Sequence, residues 1–155
     1  MKSLLSTLSL LVCINLANAQ LPHAFSSAKS VNIKMIHNGN PKIEFNSWDD
    51  YDNGKVVNGY YKVKINCSKP WKISVKATQS NLNSNSGMFI PIQYLSIKPS
   101  TDNNFIPLSI APQTIMTGDP TAADIYIDFD LKLNAPPNIY SGMYIANVDF
   151  VIEEL

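Results

Sequence analysis

The sequence predicts an all-β fold, an antiparallel, Ig-like β-sandwich of about eight strands. Three observations lead there. Apolar and polar residues alternate with period two in four long runs, turn residues separate those runs at short intervals, and no stretch of length shows helical spacing.

The chain opens with Met1 and Lys2, an apolar run from Leu4 to Leu16, and then Ala17-Asn18-Ala19. A charged start, an apolar stretch and an A-x-A site are the three parts of a secretory signal peptide. The run is short and broken by Ser and Thr, which suits export better than a membrane anchor. Residues 1–19 are therefore expected to be cleaved, leaving Gln20 as the first mature residue. Residues 20–30 are polar and read as a loose leader, and residues 31–155 as a single sandwich domain. Cleavage removes Cys13 and leaves Cys67 without a partner for an internal disulfide. Cys67 continues an apolar alternation, so it reads as a buried thiol acting as a small hydrophobe.

The strong strands follow in order at 60–67, 71–78, 125–134 and 144–153. In the first, Tyr61, Val63, Ile65 and Cys67 point one way, and Tyr60, Lys62, Lys64 and Asn66 the other. In the second, Trp71, Ile73, Val75 and Ala77 form the apolar face. Ile125, Ile127, Phe129, Leu131 and Leu133 do so in the third, and Tyr144, Ala146, Val148, Phe150 and Ile152 in the last. One apolar face and one wet face is the pattern of antiparallel sheets. Weaker strands are expected at 31–36, 42–45, 92–98, 105–110 and around Ile115. Asp52-Asn53-Gly54 and Asn58-Gly59 read as breakers in a loop ahead of the first strong strand, and Ser68-Lys69-Pro70 as a hairpin turn.

From Phe45 onward the features occur in a suggestive order: Asp50-Tyr51-Asp52-Asn53-Gly54, Pro70-Trp71-Lys72-Ile73, Ile90-Pro91-Ile92, Ser141-Gly142-Met143-Tyr144 and a last alternating strand. This order resembles bacterial surface domains of the WxL type and similar secreted β-sandwich proteins of Bacteroidetes. It resembles the pilins of archaic chaperone–usher systems less closely. Trp71-Lys72-Ile73 stands where the first Trp-x-Leu would, and Phe150-Val151-Ile152 where the second would. Phe replaces the second Trp, and Ile replaces both Leu. The resemblance implies a non-enzymatic bacterial protein with an adhesion or envelope-structural role, and a link to cell-wall attachment that the change to Phe150 weakens.

Composition narrows the function classes. The 12 basic residues balance 12 acidic ones, and all of the basic residues are Lys. A nucleic-acid partner calls for a basic patch, usually with Arg, and none is present. No G-x-S-x-G, metal-ligand spacing or phosphate loop occurs, and His23 and His37 both lie among polar residues near the mature N-terminus. Asp49 to Gly54 resembles a calcium loop, but the ligand step at Tyr51 is wrong and no closing Glu follows, so a solvated turn is expected. Asp128, Asp130 and Asp149 fall on wet strand faces, where Lys62, Lys64, Lys72 and Lys76 can pair with carboxylates across strands. The expectation is therefore no enzyme and no cofactor. Trp48, Tyr51 and Tyr60 cluster near one loop and are the candidate glycan-binding residues. The expected partner is an envelope component, a glycan or a protein surface. Self-assembly is a further expectation, through the alternating segment Val31-Asn32-Ile33-Lys34-Met35 added to a neighbour's sheet. The expected location is outside the cytoplasm, at the cell surface or in the periplasm.

Overall fold

The computed structural model describes residues 8–11, 32–36, 42–137 and 142–155. The cleavage site after Ala19, the leader at 20–30, Cys13, His23 and His37 lie outside the described residues, as does the signal-peptide segment apart from residues 8–11.

Alternation dominates, and strands follow. The chain runs through β1 (Leu8–Leu11), β2 (Asn32–Ile36), β3 (Lys42–Phe45), a short helix α1 (Trp48–Asn53), β4 (Lys55–Asn66) and β5 (Trp71–Ala77). It continues through β6 (Asn81–Ser84), β7 (Phe89–Pro91), a 3-10 turn at Ile92–Tyr94, β8 (Leu95–Pro99) and β9 (Ile106–Pro107). It ends with β10 (Gln113–Gly118), β11 (Ile125–Leu133), β12 (Met143–Ile145) and β13 (Val148–Glu154).

One layer is a five-stranded sheet in the order β2-β4-β11-β8-β9. The other layer has two parts, β3-β1-β12-β6-β7 and β10-β5-β13. The final strand breaks at Ala146-Asn147, which is why this layer divides. The break is bridged: the Thr78 amide donates to the Asn147 carbonyl at 3.0 Å, and Gln79 Nε2 donates to the Ile145 carbonyl at 2.9 Å. Among the described residues pairing is antiparallel except between β1 and β12, which run parallel. The layers meet at aromatic side chains. Phe150 of β13 packs edge-on against Tyr61 of β4 and Phe129 of β11, with ring centroids 5.2 and 5.5 Å apart. The fold is thus all-β and sandwich-like. Trp71, Ile73, Val75, Tyr61, Val63, Ile65, Phe129 and Leu131 form its core as the alternation predicts.

Several elements depart from the sequence expectation. Ser68-Lys69-Pro70 closes no hairpin, since it joins β4 of one sheet to β5 of another. The segment 92–98 starts as a 3-10 turn and becomes a strand only at Leu95, and 105–110 contributes only two paired residues. Asn58-Gly59 lies inside β4 rather than ahead of it. Opposite it the register steps from Phe129↔Tyr61 to Leu131↔Val57, so two steps along β11 span four along β4. Gly59 supplies the positive φ, 60°, that such a bulge requires. The extra residues break the alternation, so Tyr60 is buried beside Tyr61 instead of facing solvent.

A further departure is α1, a helix where the sequence predicts a solvated turn. Ser47 caps it: its hydroxyl accepts the Asp50 amide at 3.2 Å, and Asp50 accepts the Asn46 and Ser47 amides at 2.8 and 3.2 Å. This reciprocal arrangement satisfies donors that a helix start leaves open. Replacing Ser47 with Ala should lower stability by about 1 kcal/mol, read from the urea midpoint, with the slope of unfolding unchanged.

Candidate functional site

The strands place the carboxylates first. Asp128 lies directly opposite Lys62, Glu153 opposite Lys72, and Asp149 opposite Lys76. The corresponding N–O distances are 3.4, 2.7 and 3.9 Å. Lys64 meets Asp124 at 2.6 Å, and Asn66 donates to the same carboxylate. The Lys64 side-chain hydrogen bond leads in holding Asp124 below the usual carboxylate value, and the same contact raises the Lys64 pKa. The first three are part-exposed cross-strand pairs of the expected kind, and the fourth joins β4 to the residue just ahead of β11. They tie the sheet's outer faces together and leave their carboxylates occupied.

Asp130 departs from its expected wet position. It accepts the Gly59 amide at 2.8 Å and the Ser100 hydroxyl at 2.5 Å, and pairs with Lys98 at 2.9 Å. The β4 bulge and the start of the turn after β8 close over it, leaving it 4% exposed. Burial pushes its pKa up, but the bonds from Lys98, Ser100 and Gly59 outweigh that and hold it below 3.8. Such a carboxylate stays ionised and locked. It lacks the raised proton affinity of a general acid.

The aromatic candidates separate. Trp48, on α1, is 70% exposed. Tyr51, one turn on, is half-buried: its ring lies 5.1 Å from Phe45 and 6.2 Å from Trp48, tilted 50° to each. Tyr60 is 4% exposed and packs edge-on against Tyr61 at 4.6 Å. Trp48 and Tyr51 thus share a surface, whereas Tyr60 is turned into the core and drops out of that surface. The burial follows from the bulge at Gly59, which no alternation count anticipates. Trp48→Ala should change stability by less than about 0.5 kcal/mol, as for any exposed side chain, measured by thermal unfolding.

The third feature lies in the layer that holds β3 and β12. β1 lies within its layer, between β3 and β12. Ile43 and Phe45 of β3 and Tyr144 of β12 are each 2% exposed or less, and all three stand in register with β1 residues. Among the described residues β1 is the only sheet partner of β3, and β13 pairs with β5 alone. The sequence held part of the signal: residues 4–16 are mostly apolar and free of Pro and charge, as a strand flanked on both sides requires.

The segment 32–36 pairs with β4 of its own chain, from Asn32↔Asn66 to Ile36↔Lys62. It stands at the edge of the five-stranded sheet. Among the described residues no group of three or more His, Cys, Asp or Glu side chains could hold a metal ion. Cys67 is buried, with Glu154 3.9 Å from its sulfur. No described helix is long and apolar enough to cross a membrane. No family model matches the chain, and no curated protein matches it.

Proposed function

We propose that this chain is an exported, non-enzymatic structural subunit of the bacterial envelope or cell surface. In this reading it completes its sandwich with an extended strand from a neighbouring molecule. The position of β1 carries the proposal. That strand belongs to the segment with signal-peptide character, yet it sits between β3 and β12. Without it, β3 has no sheet partner among the described residues, and β12 is left paired with β6 only. Exposed strand edges over an apolar inner face are templates for pairing with another chain. The pairing of carboxylates with Lys across the outer faces supports a contact role over catalysis, and the WxL-type order of features agrees with an envelope location.

The test is light scattering coupled to size exclusion on the processed chain, residues 20–155, recovered from the exported fraction. A ladder of masses above the monomer is expected. A strict monomer at every concentration, or a protein retained in the cytoplasm, would remove the reading.

A second reading rests on Trp48. A Trp this exposed, held on a capped helix beside Tyr51, presents a flat ring on which a sugar can stack. Trp48→Ala should abolish retention on immobilised envelope polysaccharide while leaving the fold intact. Equal retention of variant and parent would dismiss it.

A further inference from the structure

β1 belongs to the layer by its pairing and to the leader by its sequence. Its four residues match β3 one for one in antiparallel register, from Leu8↔Phe45 to Leu11↔Lys42. On its other side Ser9 and Leu10 pair in parallel with Met143 and Tyr144. Leu8 and Leu10 stand in the rows of Phe45, Ile43 and Tyr144, three of the best-buried side chains of the molecule. The register therefore sets Leu8 and Leu10 opposite core positions of β3, and Leu10 opposite a core position of β12 as well, while Leu11 falls opposite Lys42. A shift by one residue would bring Ser9 into those rows instead.

The other stretch of chain ahead of β2 is a poorer fit. Residues 20–30 contain Pro22 and Lys29 and show no sustained alternation. Pro lacks the N–H that a strand paired on both sides must donate. The leader run at 4–16 has neither Pro nor charge.

We infer that the gap between β3 and β12 is a strand-accepting slot whose built-in occupant is the leader strand Leu8–Leu11. The leader caps the precursor, and its loss on processing opens the slot. The inference rests on the reading of residues 1–19 as a removable leader. It adds a regulatory step: the chain is closed before processing and receptive after it.

The experiment starts from the full chain with a site-specific protease site inserted between Ala19 and Gln20, purified uncut and then cut while folded. Amide exchange is followed strand by strand. After the cut piece is washed away in sub-denaturing urea and the urea removed, amides of β3 and β12 should exchange at least about tenfold faster, while those of β4 and β11 keep their protection. The melting temperature should fall by several degrees. A synthetic peptide of residues 6–12 with terminal Lys residues should restore both. A cut piece that stays bound through the wash upholds the slot equally.

Unchanged exchange in β3 and β12 after the piece has left would overturn the inference, as would a peptide that restores nothing. The uncut variant Leu10→Pro gives an independent reading, since it breaks the β1 ladder without any cleavage. It should speed exchange in β3 and β12 alone, and no local change would count against the cap. A cut chain that stays monomeric yet binds the peptide upholds slot and cap while dismissing assembly between copies, so the two proposals fail separately.

Discussion

Asp130→Ala should destabilise the protein by about 3–5 kcal/mol, near the lower end of that range, measured by urea unfolding. Three groups converge on this carboxylate: the Lys98 ammonium, the Ser100 hydroxyl and the Gly59 amide. The side chains of the ion pair are only 13% and 6% exposed for Lys98 and Asp130. Removing the acid leaves a largely buried ammonium and a bulge amide without their acceptor, which costs far more than the pair's net contribution. Lys98 keeps its bond to the Asp102 carbonyl at 2.7 Å and its place 5.3 Å from the centre of the Phe105 ring, which moderates the loss. Adding Lys98→Met should recover much of it, because no buried charge then lacks a partner. If the double variant is as unstable as Asp130→Ala alone, the charge explanation is wrong.

The same site sets a pH dependence. The folded Asp130 binds its proton more weakly than the unfolded chain does, with an ordinary value of 3.8. Its stabilisation is therefore complete above about pH 4 and is lost as pH falls through the lower native value. Asp130→Asn should flatten that acidic limb of the stability curve and leave the neutral plateau flat. A parent curve with no slope below pH 4 would contradict the assignment.

The contrast between Asp130 and its neighbour Asp128 shows what a sequence can reveal of such a fold. Period-two alternation placed Trp71, Ile73, Val75, Val63, Ile65 and Phe129 in the core, because side-chain direction in a regular strand depends only on parity. It also placed Asp128 opposite a Lys, since cross-strand pairing follows from the same parity. Asp130 lies on the same outer face, but its burial depends on Ser100 and Lys98, some 30 residues earlier, and on the bulge at Gly59. No local pattern encodes that convergence. Tyr60 departs for the same reason: it sits at the bulge, where two extra residues of β4 interrupt the alternation locally and the parity resumes on either side. Helix α1 was legible in principle, since Ser47 and Asp50 have capping-box spacing, but six residues are too few for a helical period to stand out. The slot beside β3 was the least legible, because strand order is decided by non-local pairing. The sequence named the leader run apolar without saying where in the layer it would sit.

Trp71→Ala should cost about 3–5 kcal/mol, the other large effect expected here. The indole is 2% exposed, and its N–H donates to the Asp119 carbonyl at 2.9 Å, so the ring is fixed at both its apolar body and its polar tip. Gly118 on β10 lies directly opposite Trp71, and a Cβ there would run into the indole carbons Cζ2, Cε2 and Cη2. Gly118→Ala should therefore cost about 1–3 kcal/mol by overpacking, although the φ of Gly118 is not positive. The two losses should not add. Once the indole is gone, the methyl at 118 enters vacated space, so the double variant should be less destabilised than the sum of the singles, with a coupling of about 1 kcal/mol or more. Strict additivity would mean that the contact between this glycine and this ring does not determine the packing. The outcome also bears on the envelope reading. Trp71 opens β5, the central strand between β10 and β13, and β13 continues from β12, which lines the slot. A loss confined to stability, with peptide binding at the slot unchanged in the folded fraction, would assign Trp71 to the core. Loss of peptide binding in a chain that remains folded would show that the ring also holds the open layer in register for its incoming strand.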